Sequence, residues 1–183
     1  MKIPWIWIGG GSAALAAWAI SKVSRGESFV PNVVTELTRT PQDILDAVAA
    51  INPENNPDLQ PGAANEYGTV GTWCNRFIAL VTEALGAPIP YGTAGMRAND
   101  QIDWLGQGNG GWYPTSKAGA QAAALAGHLA VATYRNLNGS GHMALVLPIP
   151  GAMQIAQAGA HNYNMAPLAS GFGSIQPIFF AHD

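Results

Sequence analysis

Gly71-Thr72-Trp73-Cys74-Asn75-Arg76-Phe77-Ile78-Ala79-Leu80-Val81 is a glycine-led loop passing into a helical pattern. Phe77, Ile78, Val81 and Leu85 recur at helix spacing, and Gly86 ends the run. The spacing predicts a helix that opens at Cys74, the only cysteine of the chain. In the first turn of a helix, unpaired N–H groups and the macrodipole favour an anion. A thiol there is expected to lose its proton more easily than a free one, and the thiolate is the nucleophile.

Far downstream, Gly139-Ser140-Gly141-His142-Met143-Ala144-Leu145-Val146-Leu147 places a histidine at the opening of an apolar strand. A lone cysteine is usually a small buried hydrophobe, and a lone histidine is usually structural. The combination points to catalysis, because each residue starts its element behind glycine or small polar residues. Cysteine on a helix N-terminus and histidine on a later strand is the order of parts in a papain-like hydrolase.

Strand geometry restricts the third member. Pro148-Ile149-Pro150-Gly151-Ala152 is the turn after the histidine strand, and Met153 to Ala158 returns antiparallel. Met153, Ile155 and Gln157 share one face, with Gln157 expected level with His142. Its amide is a candidate to hold the imidazole in its useful tautomer. A solvated edge glutamine is the plain alternative, and His161 and Asn162 are the other candidates for the role. The expected arrangement has the Cys74 sulfur beside one imidazole nitrogen and Gln157 on the nitrogen facing away.

An oxyanion hole needs donors aimed at the developing charge. The Cys74 N–H is one candidate, and Asn65 or Tyr67 from the preceding loop is another. Trp112 and Tyr113 leave the glycine-rich loop Gly106 to Pro114 and are candidates to line a cleft, with Asn162 a further substrate contact. His128 and His182 stand alone at a turn and near the C-terminus. With no second cysteine and no His-x-x-His spacing, no metal or other cofactor is expected.

The whole chain has 183 residues, 48% hydrophobic and only 10% charged, with a net charge of −3. That hydrophobic share supports a substantial core, and the scattered Lys and Arg form no basic stripe, which argues against a nucleic-acid partner. Ile3 to Ile20 carries no charge, holds Trp5, Trp7 and Trp18 near its two ends, and is flanked by Lys2 and by Lys22 and Arg25. Such a run is at the short limit for a membrane-spanning helix, and tryptophans suit its interfaces. Ala17-Trp18-Ala19 resembles a cleavage site of a secretory signal, but the positive region before the apolar run holds only Lys2. The expectation is a retained anchor over residues 1–25.

Residues 26–60 read as a tether and one short helix, which Thr40 caps, Pro41 opens and Asn52-Pro53 ends. Residues 61–183 read as one domain. Its helices come first, the last of them alanine-rich and capped by Thr115 or Ser116. Strands are expected at 129–134, 143–147, 153–158 and 175–181. Helices followed by antiparallel strands make an α+β fold, with the cysteine helix packed on the sheet.

Trp73-Cys74-Asn75-Arg76-Phe77, Gly141-His142-Met143-Ala144-Leu145-Val146 and Ile155-Ala156-Gln157-Ala158-Gly159 together resemble the CHAP and NlpC/P60 branch of papain-like peptidoglycan hydrolases. The likeness covers about residues 65 to 183. It implies a papain-like fold and cleavage of a peptide or N-acetylmuramoyl–alanine amide bond in bacterial cell wall. By position it makes Cys74 the nucleophile and His142 the general base. Gln157 falls where CHAP members often carry glutamate, a departure that bears on the third role and leaves the pair untouched. The implied partner is peptidoglycan, met by a domain anchored in a membrane through residues 3–20 and facing the periplasm or wall, in a cell or a phage virion. A non-catalytic wall-binding protein of the membrane or virion, and a general cysteine peptidase, are the alternatives.

Overall fold

The computed structural model describes residues 39–65, 68, 70–92 and 95–183. The apolar segment expected at residues 3–20, most of the tether and Tyr67 lie outside those residues. Among the described residues, no helix is long and apolar enough to cross a membrane.

Helix α1 (Pro41–Ile51) starts as its sequence dictates. The Thr40 hydroxyl accepts from the Asp43 N–H at 3.2 Å, and the Asp43 carboxylate accepts from the Thr40 N–H at 2.8 Å. This reciprocal cap satisfies donors that the first turn leaves open, while Pro41 has none to satisfy. Asn52 ends the helix in the left-handed conformation that asparagine tolerates. Helices α2 (Cys74–Ala84) and α3 (Ala98–Gly106) follow, and α4 (Lys117–Leu125) is capped by Ser116, whose hydroxyl accepts from the Gly119 N–H at 3.0 Å.

The strands are β1 (Tyr113–Thr115), β2 (Leu129–Tyr134), β3 (His142–Val146), β4 (Gln154–Ala158), β5 (Asn162–Pro167) and β6 (Ile178–His182), with α5 (Leu168–Phe172) between β5 and β6. They form one six-stranded sheet in the order β1-β6-β2-β3-β4-β5, antiparallel at every pairing. The α+β class read from the sequence is therefore the observed one. Strands β1 and β5 were not expected, because both are sheet edges with weak apolar signals. One is three residues around Pro114, and the other opens with the polar pair Asn162 and Asn164 around Tyr163.

Helices cover both faces of the sheet, which is why the central strands read as continuous apolar runs. Leu129, Val131, Met143, Leu145, Ala156, Ala158 and Phe180 share one cluster with residues of α1, α2 and α3. Alternation turns Ala130, Ala132, Ala144, Val146 and Ile155 to the other face, against Ala120 and Ala124 of α4 and Phe172 of α5. Small residues on both partners let α4 approach the sheet closely. Ile44, Val48 and Ile51 of α1, grouped with the tether on sequence grounds, are buried in the same cluster as Phe77 and Val81 of α2.

Gly127, between α4 and β2, has φ +88°, and a Cβ there would run into the Arg39 carbonyl and the Thr40 Cα. Gly127→Ala is thus expected to cost more than about 1 kcal/mol, lowering Tm by several degrees. An unchanged thermal melt would mean that the 39–40 segment simply moves aside.

Candidate active site

Cys74 is the first residue of α2, and the residue before it supplies no side-chain cap. The residue is 4% exposed and lies in the cluster that contains Trp73, Phe77, Met143, Ala156 and Ala158. Burial among these groups pushes the thiol above its ordinary pKa, and the main-chain N–H groups of Met143, Asn75 and Cys74 itself oppose that shift. The sulfur therefore serves as the acceptor that the uncapped first turn lacks. The expected ease of ionisation is corrected here, since desolvation of a thiolate in an apolar core outweighs the helix N-terminus.

His142 opens β3 opposite Tyr134 of β2. Its Nε2 lies 2.8 Å from Gln157 Oε1, and its ring packs on Phe172 with centroids 5.0 Å apart. Gln157 is 3% exposed and donates its own amide N–H to the His161 carbonyl at 2.9 Å. That second bond fixes which end of the amide faces the ring. An amide oxygen only accepts, so Nε2 carries the proton and Nδ1 keeps its lone pair. Burial lowers the His142 pKa, and the bond to Gln157 acts against that shift.

The register explains the pairing. Leu145 stands opposite Ala156 and Val146 opposite Ile155, so continuing the ladder brings Gly159, rather than Gln157, opposite His142. Gln157 is the diagonal neighbour on the same face. Two glycines leave room for the pair: a Cβ at Gly159 would touch the imidazole, and one at Gly171 of α5 would occupy the place of the Gln157 side chain.

Of the sequence candidates, the structure joins His142 to Gln157 and brings the Cys74 sulfur to the main chain of the next residue, Met143. Among the described residues, no hydrogen bond joins the sulfur to the imidazole. Strand alternation is the reason: Met143 turns toward α2, whereas His142 and Gln157 turn toward Phe172. The β3–β4 pairing ends at Leu145 and Ala156, so the sulfur and the imidazole flank the end of the ladder from two sides.

The other candidates divide. His161 is exposed and gives only its carbonyl to Gln157. Asn162 donates to the Pro53 and Leu59 carbonyls, both at 2.9 Å, and so staples β5 to the loop after α1. Asn65 donates to the Tyr91 hydroxyl at 3.5 Å. Trp112 is corrected from cleft wall to core: it is 1% exposed, its indole N–H donates to the Ala87 carbonyl at 3.3 Å, and its ring meets His182 edge-on. Tyr113 bonds Asp183 at 2.8 Å. It pairs with Ala181, near the end of β6 where His182 faces Leu129. His142 lies at the other end of β2, so neither aromatic residue joins its site. Phe172, Gly159 and Gly171 were missed, and the only sequence signal for them was the glycine content of Gly159 and Gly171-Phe172-Gly173.

The two pKa shifts have consequences for pH. An unfolded histidine binds a proton below about 6.5 while the buried one resists, so stability falls as pH drops through that range. An unfolded thiol releases its proton above about 8.5 while the buried one holds it, so stability falls again as pH rises past that value. Denaturant midpoints across pH are expected to form a plateau between these limits, and Cys74→Ala should flatten the alkaline limb. An alkaline limb unchanged in that variant would assign the loss to other groups.

The sequence matches no protein-family model, and no curated protein matches it.

Proposed function

We propose that this chain is a cysteine hydrolase of amide bonds on a papain-like plan, with bacterial peptidoglycan as its substrate. The observation that carries the reading is the bond between His142 Nε2 and Gln157. It leaves Nδ1 as a proton acceptor at the start of the strand whose next amide, that of Met143, acts on the Cys74 sulfur.

In this reading substrate binding draws the thiol from the Met143 amide to Nδ1. Nδ1 takes the thiol proton as the sulfur attacks the scissile carbonyl carbon, and Gln157 Oε1 supports the imidazolium. In this reading the Cys74 N–H donates to the oxyanion. Collapse of the tetrahedral intermediate breaks the C–N bond, with the proton passing from Nδ1 to the leaving amine. Water then hydrolyses the thioester by the same route and restores the thiol. The wall substrate and the anchor over residues 3–20 come from the sequence likeness and the apolar run, and they put the domain at a membrane facing the wall.

Zymography on purified peptidoglycan, with mass analysis of the released fragments, tests this. New amine and carboxyl ends at one amide bond are expected, and a wall preparation left intact by folded protein would overturn the reading. Cleavage of casein without wall fragments would instead mark a general cysteine peptidase.

One observation favours a second reading, wall binding without catalysis: the thiol is buried, neutral and not bonded to the imidazole. Co-sedimentation with peptidoglycan that releases no fragments would select it.

A further inference from the structure

Helix α3 holds the segments next to both members of the proposed pair through side chains that the reaction does not use. On one face, Asn99 binds the main chain of the loop that leads into His142. Its Nδ2 donates to the Asn136 carbonyl at 2.8 Å and the Gly139 carbonyl at 3.0 Å, and its Oδ1 accepts from the Asn136 N–H at 3.1 Å. One turn on, Asp103 accepts two hydrogen bonds from Arg135, at 2.7 and 2.9 Å. Residues four apart share a helix face, so both grips fall on one loop. Gly141 has no room for a Cβ, which would meet Asn99 Oδ1 and the Tyr134 carbonyl. The helix thus presses directly on the residue before His142.

The opposite side of α3 reaches Asn75, the residue after Cys74. Gln101 is fully buried and donates to the Asn75 carbonyl at 3.1 Å and the Pro90 carbonyl at 3.0 Å. The Asn75 side chain returns a bond to the Met96 carbonyl, just ahead of α3. A single helix therefore holds the first turn of α2 and the 135–141 loop at a set separation. A loop rich in Asn, Gly and Ser has no packing of its own to do this.

We infer that α3 is a brace that sets His142 against Cys74, and that Asn99 is a positioning residue of the site. The inference rests on the reading that these two residues react. Asn99→Ala removes three bonds to the loop and leaves the side chains of Cys74, His142 and Gln157 chemically unaltered. A misplacement on the ångström scale costs on the order of 10²-fold in rate. The variant is expected to lose kcat on that scale with KM nearly unchanged. Asn99→Asp keeps the acceptor for the Asn136 N–H but turns a carboxylate oxygen toward the two carbonyls, so it should lose at least as much as Asn99→Ala.

The control is Asn164→Ala on the far edge strand, which loses bonds to Asn52 and Glu54. It should lower stability comparably without touching kcat. Two readouts do not need turnover: hydrogen exchange of the 135–141 amides and the imidazole nitrogen shifts of His142. Both are expected to change in Asn99→Ala and to stay at wild-type values in Asn164→Ala. Unchanged exchange and imidazole shifts in Asn99→Ala would overturn the brace, as would altered shifts with full kcat. If wild-type protein cleaves no wall, the proposed function falls, and the exchange and imidazole readouts still decide the brace.

Discussion

Under the proposed mechanism, Cys74→Ala is expected to abolish wall lysis, by at least about 10⁴-fold, because no other group in the site can form the thioester. The fold should survive. The change removes one buried sulfur, which costs on the order of 1 kcal/mol, and it also removes the group whose ionisation the core resists. Turbidity loss of purified walls, read beside a circular-dichroism melt, separates the two effects. Full lysis by the variant would end the thiolate mechanism. Gln157→Ala provides the graded comparison: it should slow lysis less than loss of either Cys74 or His142, since the amide sets the tautomer without taking part in bond making. Gln157→Glu keeps the acceptor for Nε2 but leaves the His161 carbonyl without its donor, so its rate should fall between those of wild type and Gln157→Ala.

The second large effect is on stability. Trp112→Ala is expected to cost about 3–5 kcal/mol, lowering Tm by roughly 10 °C or more in a domain of this size. The side chain is among the largest fully buried ones. It also ties the loop after α2 to the end of β6, through the Ala87 carbonyl on one side and the His182 ring on the other. Trp112→Phe keeps most of the apolar area but strands the Ala87 carbonyl, so its loss should be about 1–3 kcal/mol. A Trp112→Ala protein with wild-type Tm and weakened wall binding would return this residue to the cleft.

Local chemistry was legible in the sequence wherever neighbours along the chain settle the energy. The cap at Thr40, the stop at Asn52, the helix opening at Cys74 and the strand opening at His142 all depend on contacts within a few residues. The pairing of Gln157 with His142 was also within reach, because a short hairpin fixes which positions share a face. Edge strands β1 and β5 were not legible, since their order comes from partners distant in sequence, such as Phe179 to Ala181 for β1.

Tertiary structure alone decided the rest. Trp112 follows glycines at 108, 110 and 111, all with positive φ, and those turns send it inward although a glycine-rich loop reads as surface. The state of Cys74 likewise depends on Met143, Ala156 and Ala158, which the sheet brings over the first turn of α2. The helix N-terminus that favours a thiolate is a local property, written in the order of residues. The desolvation that opposes it comes from the whole core, and burial of the charge is the larger effect. The sequence by itself therefore determined which groups stand at the ends of which elements. Only packing decided that the thiol rests protonated against the Met143 amide while the imidazole is turned to Gln157.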